Sequence, residues 1–165
     1  MTLQPSVVER PEQPYVSITS QVAMHQLGND LPPLVPEVLD WAAAAGLTTT
    51  GPVFWKYNVI DMAAGLEVEV GVPVDRPAAG DGRVTAGLLP GGRYVVAHHV
   101  GHPDTLEGAT GELLAWAEDQ RLSWDVRDVD GDERWTARLE EYLNGPDDQP
   151  DMTKWETNLV IKLAQ

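Results

Sequence analysis

The chain has 165 residues, 42% hydrophobic and 22% charged, the balance of a folded protein with one ordinary domain or two very small ones. Lys and Arg total 11 against 26 Asp and Glu, a net charge of -15 that lacks the positive clusters nucleic acid or anionic lipid would need and that attracts cations instead. There is no Cys, which excludes disulfides, thiolate metal sites and Cys nucleophiles.

The opening MTLQPSVVERPEQP is polar and proline-rich, unlike a signal peptide, and no apolar run nears the roughly 18 residues of a membrane span. The expectation is a cytoplasmic protein without membrane or nucleic-acid contacts. Residues 1–12 read as an arm and residues 13–164 as one domain. Tyr15 to Thr19 alternate as a strand does. Residues 20–33, with Gly28, Pro32 and Pro33, read as a loop. From Pro36 the apolar positions Val38, Leu39, Trp41, Ala42 and Ala45 predict a helix that Gly46 ends. Gly51-Pro52 turns the chain into a strand over Val53 to Val59, and Ala64-Gly65 turns it again. Leu66 to Val74 alternates strictly, with Leu66, Val68, Val70 and Val72 on one side and Glu67, Glu69 and Gly71 on the other. A Pro/Gly loop fills 75–82. The order then recurs: a short strand Arg83–Leu89, a turn at Pro90-Gly91-Gly92, a strand Tyr94–Val100, and a helix from Pro103-Asp104 to about Arg121. An acidic loop Asp125–Glu133, a strand Trp135–Leu143, a loop over 145–151 and a strand Trp155–Leu163 follow.

The two halves match in residues as well as in order. Glu37-Val38-Leu39-Asp40-Trp41-Ala42 aligns with Glu112-Leu113-Leu114-Ala115-Trp116-Ala117, and Leu47 and Leu122 follow at the same offset. Tyr15-Val16 aligns with Tyr94-Val95, and Trp55-Lys56-Tyr57 with Glu140-Glu141-Tyr142. The pattern is a duplicated strand–helix–strand–strand unit, with repeats at about 13–75 and 83–164. The expected fold is α+β, with pseudo-twofold symmetry, one antiparallel sheet and a ligand groove where the halves meet.

Four segments carry a family resemblance. Tyr94-Val95-Val96-Ala97-His98-His99-Val100-Gly101-His102 with its following helix, Gly51-Pro52-Val53-Phe54-Trp55-Lys56-Tyr57, Gly71-Val72-Pro73-Val74 and Glu140-Glu141-Tyr142 resemble the GyrI-like small-molecule-binding domain. The same domain forms the effector-binding part of BmrR-type and Rob-type transcription regulators. The resemblance spans roughly 13–164. It implies a groove for flat, hydrophobic, often cationic compounds, with the glutamate of a Glu-x-Tyr motif at its centre, which by position is Glu140.

Strand periodicity agrees. Arg138, Glu140 and Tyr142 share one face, and Leu139, Glu141 and Leu143 share the other. Leu139 and Leu143 are expected to pack on a helix, leaving Glu140 and Tyr142 on the groove face with Trp55 and Tyr57. Trp135 and Phe54 complete the expected ligand-binding set. Aromatic walls stack on a planar ligand and one carboxylate offsets its positive charge. Six tryptophans against a single Phe suit that role, although indoles also fill cores.

Other motifs point to bland readings. His98 and His99 are adjacent on a strand and face opposite ways, which opposes a shared metal ion, and His102 reads as a strand-end residue. Asp125, Asp128, Asp130 and Asp132 lack the glycine and glutamate positions of a calcium loop. No phosphate loop or Gly-x-Ser-x-Gly elbow is present. The reading is therefore a monomeric, cofactor-free, stand-alone binder of planar aromatic or cationic small molecules, without bound metal. One alternative is a hydrolase of cyclopropane-bearing alkylating natural products, with Glu140 as base and Tyr142 as proton donor or positioning hydroxyl. The other is a protein-interaction module acting on gyrase.

Overall fold

The computed structural model of the chain describes residues 3–61 and 63–165. In chain order the elements are β1 (Ser6–Arg10), β2 (Gln13–Val22), α1 (Leu27–Asp30), α2 (Leu34–Ala44), β3 (Phe54–Asp61), β4 (Gly65–Pro73), β5 (Val84–Leu89) and β6 (Gly92–Val100). Then follow α3 (Leu106–Asp119), β7 (Val126–Val129), β8 (Asp132–Trp135), β9 (Arg138–Tyr142) and β10 (Glu156–Lys162). All strand pairs are antiparallel, and the sheet runs β1-β6-β10-β9-β3-β4-β2-β5, with the β7–β8 hairpin attached to β3.

That order is a palindrome about the β3–β9 seam. Each half places its second repeat strand (β3 or β9) at the seam, its third (β4 or β10) next and its first (β2 or β6) outside. The registers agree residue for residue: Tyr15 pairs with Pro73 and Tyr94 with Lys162. Trp55 pairs with Val70 and Glu140 with Leu159. Across the seam Trp55 pairs with Glu140 itself. Trp55 and Glu140 hold the same place in their own repeats, so the local twofold axis passes between them.

The helix ends repeat too. Gly46 N–H donates to the Ala43 carbonyl and Leu47 N–H to that of Ala42, and Arg121 and Leu122 repeat both bonds with Glu118 and Ala117. These are Schellman caps, which need a left-handed residue just past the helix. Gly46 takes it at φ 76°, and Arg121 takes the same conformation at φ 60° although it carries a side chain.

The helices cover the outer strands of each half. Val38 and Ala42 of α2 pack on Val16, Ile18, Val68, Val70 and Val72, and Leu106, Ala109 and Leu113 of α3 pack on Val95, Ala97, Leu159 and Ile161. The opposite face has its own core of Tyr15, Phe54, Leu89, Tyr94, Ala137, Leu139 and Val160. These side chains are buried with no helix among them, which follows from the sheet curling over that face.

Several sequence expectations need correction. Residues 1–12, read as an arm, contain β1, which pairs along β6 from Ser6 opposite Val96 to Arg10 opposite Gly92. The loop read over 20–33 contains the end of β2 and α1. The acidic loop is the β7–β8 hairpin: Asp130 and Gly131 both take positive φ, 54° and 91°, between the paired Val129 and Asp132. That is the demand of a tight two-residue hairpin turn, which Asp-Gly meets. The strand read from Trp135 to Leu143 breaks at Thr136-Ala137. Leu139 packs on the helix-free face and Leu143 is exposed, so neither lies under a helix.

Candidate functional site between the two helices

The seam strands β3 and β9 run between α2, which lies on β2 and β4, and α3, which lies on β6. Strand alternation turns Trp55, Tyr57, Glu140 and Tyr142 toward this furrow, because each half's helix-side core includes its seam aromatics: Trp55 and Tyr57 in one, Tyr142 in the other. All four remain half-buried. The expected quartet is thus brought together on the helix side of the sheet, although Leu139 does not pack where it was expected.

Glu140 is the hub. The hydroxyls of Tyr57 and Tyr142, equivalent residues of the two repeats, both donate to its Oε1, at 2.8 Å and 2.5 Å. Its Oε2 accepts no hydrogen bond among the described residues. Burial raises the carboxyl above the ordinary glutamate value of 4.5, against the opposing pull of Tyr142, Tyr57 and the Arg138 charge. The surrounding protein is dense enough to do this, yet solvent still reaches the side chain, as at the floor of a cleft. Burial and the Glu140 charge push both tyrosines well above the ordinary phenol value. The Trp55 ring meets Tyr142 edge-on at 4.9 Å, and its indole N–H is buried with no acceptor among the described residues.

Two expected members of the set lie elsewhere. Phe54 points away from its neighbour Trp55, is buried on the helix-free face against Tyr15, and borders a cavity of about 330 Å³ with Arg10, Tyr94, Leu139 and Glu141. Consecutive strand residues must face opposite ways, so Phe54 and Trp55 cannot line one groove. Trp135 is on the helix side but one step out, beside Trp124 and a cavity of about 440 Å³ that Glu118 and Glu133 also border. Arg138 lies over its ring, 4.6 Å from the centroid. Glu141 faces away from the furrow and is bound to Arg10 of β1 at 2.8 Å.

A second polar cluster lies across the sheet and was not expected from the sequence. Glu69 accepts hydrogen bonds from Tyr15 (2.9 Å), Ser17 (2.6 Å) and Asn58 (2.8 Å), and pairs with Lys56 at 3.3 Å. Burial alone would raise this carboxyl; Lys56, Ser17, Asn58 and Tyr15 together hold it below the ordinary value. The histidines diverge as the alternation requires. His98 bonds Asn158 and Glu156, while His99 turns inward to Thr105. Among the described residues no cluster of His, Asp and Glu could hold a metal ion, and no helix is long and apolar enough to cross a membrane.

The GyrI-like small molecule binding domain family matches residues 3–164. The EcmrR C-terminal domain superposes with a TM-score of 0.76 at 23% identity, covering 100% of this chain and 99% of that one. The same protein in its complex with DNA also gives 0.76 and 23%, but this chain, covered over 99% of its length, spans only 58% of that one. SAV2435 bound to tetraphenylphosphonium gives 0.61 at 12% identity, covering 98% and 94%. A hydrolase from Listeria innocua gives 0.60 at 14%, covering 98% and 92%. At these identities the superpositions establish the fold. No curated protein matches the chain.

Proposed function

The chain belongs to the GyrI-like small molecule binding domain family, and from that premise we propose that it captures planar hydrophobic, often cationic, compounds between its two halves. The observation that carries this reading is the Glu140 hub: one carboxylate beside the symmetry axis, two phenols on one of its oxygens, and the other oxygen open. A planar ligand enters by parting Trp55 from Tyr142 and stacking on the rings, and its positive charge meets Oε2. The ligand charge then replaces the water that the half-buried carboxylate loses. The fold shared with SAV2435, bound to the lipophilic though tetrahedral cation tetraphenylphosphonium, supports the hydrophobic and cationic part of this reading.

The test compares a monocationic planar dye with a neutral dye of the same shape on wild type and Glu140→Gln. Stacking depends on area and is nearly blind to charge. Removing one partner of a desolvated charge pair typically costs about 2–5 kcal/mol, so the cation is expected to lose tenfold or more while the neutral dye loses little. Glu141→Gln, on the other face, serves as control. Equal losses for both dyes on Glu140→Gln would show that Glu140 is not the counter-charge.

A hydrolytic reading has one observation in its favour. A carboxylate with raised proton affinity and an open oxygen has the properties of a general base, with Tyr142 able to position a substrate. Product analysis with a cyclopropane-bearing alkylator distinguishes turnover from capture.

A further inference from the structure

Arg138 is two residues from Glu140 on the same face of β9, so their Cα atoms are about 6.6 Å apart at strand rise. The two opposite charges do not pair: no nitrogen of Arg138 comes within 4.0 Å of a carboxylate oxygen among the described residues, and the carboxylates whose charge acts on it, Glu133 and Glu140, do so without contact. Its guanidinium is held instead against the face of Trp135 at 4.6 Å. It is half-buried, yet it donates no hydrogen bond among the described residues. Trp135 is itself buried, and its indole N–H also lacks an acceptor among the described residues.

A guanidinium remains charged at any ordinary pH and offers five donors in a plane. Among the described residues Arg93, Arg121 and Arg127 also lack a carboxylate within 4.0 Å, but they are exposed to water, whereas Arg138 is half-buried. Stacking fixes its plane and leaves the donor edge open. Two residues along, Oε2 of Glu140 is open as well. The floor between the helices therefore presents an unmet donor and an unmet acceptor of opposite charge, side by side.

We infer that the site is built for zwitterionic planar compounds: a cationic centre toward Glu140, and a carboxylate or other oxyanion toward Arg138, two strand residues along. This rests on the capture reading above and narrows it, because a simple cation would satisfy Glu140 and leave Arg138 unmet. A carboxylate can form a bidentate, in-plane ion pair with Arg138, whereas an ester of the same skeleton offers only a neutral carbonyl as acceptor.

Rhodamine B and its ethyl ester test this. The free acid is a zwitterion at pH 7.5, and the ester is the same fluorophore as a monocation. Fluorescence anisotropy titration of the wild type is expected to show the acid bound at least tenfold more tightly than the ester. Arg138→Gln is expected to bring the two affinities to within about twofold, by weakening the acid and leaving the ester unchanged or tighter. Wild-type protein that binds the ester as well as the acid overturns the inference and leaves the capture reading standing. Arg138→Gln weakening both dyes equally also overturns it, since that would be lost packing on Trp135. Binding of neither dye would overturn the inference and the capture reading together.

Discussion

Two glutamates flank the central strand β3, one on each side. Glu69 of β4 pairs with Lys56, and Glu140 of β9 pairs with the preceding residue, Trp55. Because Trp55 and Lys56 are consecutive, the carboxylates stand on opposite faces of one sheet. Glu69 has three neutral donors and an ammonium, and its proton affinity falls below the ordinary value despite burial. Glu140 has two phenols on a single oxygen and a cation that does not touch it, and its proton affinity rises. The same residue type in the same sheet thus has two destinies. A carboxylate whose donors come wholly from the protein is part of the framework; one left partly unmet has the property that the proposed capture of cations calls for.

One substitution made at both positions is expected to have opposite effects. Glu69→Gln leaves Lys56 buried without its counter-charge, and is expected to remove about 3–5 kcal/mol of stability in urea denaturation. Glu140→Gln keeps an acceptor for both tyrosines and removes a poorly compensated charge. Its stability is expected to stay level or rise by about 1 kcal/mol. Similar losses at both positions would erase the distinction.

Acid titration sharpens it. A lowered folded value means that the Glu69 contribution is complete above the ordinary 4.5 and is lost as pH falls through the folded value below it. A raised folded value means the reverse for Glu140: its contribution is complete below 4.5 and is lost as pH rises through the folded value above it. Stability against pH for Glu69→Gln is therefore expected to lose part of the wild type's acid fall below pH 4.5, whereas Glu140→Gln should lose a decline above it. Cation binding needs the ionised Glu140, so affinity for a monocationic dye should fall on acidification at a higher pH than 4.5.

The smallest expected effect is at Tyr142. Tyr142→Phe removes one of two donors to Oε1, worth about 1 kcal/mol. The acid midpoint for dye binding should then move up by somewhat under one unit, with the affinity at pH 8 little changed. A downward shift would mean that the hydroxyl does not stabilise the ionised carboxylate.

Much of this frame was legible in the sequence because duplication repeats side chains as well as elements. Tyr15 and Tyr94, the helix pairs Trp41 and Trp116, and the cap followers Leu47 and Leu122 all fall at corresponding places. Period-two alternation also grouped Glu140, Tyr142, Trp55 and Tyr57 correctly. It could not say which face of the seam lies toward the helices, since both faces are apolar there: Leu139 is as buried as Leu113. Placing Phe54 with Trp55 broke the alternation rule itself. The Glu69 cluster was hidden because Glu67 and Glu69 read alike along one strand. Only the cross-strand register, which sets Glu69 against Lys56, separates them. The β7–β8 hairpin was masked by its acidic composition, although Asp130-Gly131 carried the turn signal.

The axis between Trp55 and Glu140 has a consequence for how any guest lies. Rotating the molecule half a turn about that axis nearly restores the backbone and superposes Tyr57 on Tyr142, but exchanges an indole for a carboxylate. The backbone alone would accept an elongated guest equally well head-first or tail-first. For the ligands proposed above, the mismatch at this pair, together with Arg138 standing where the first repeat has Val53, would make the two orientations unequal, so the furrow has a polarity that the seam backbone lacks. Which end of such a guest would be left pointing to solvent is then set by side chains rather than by the fold.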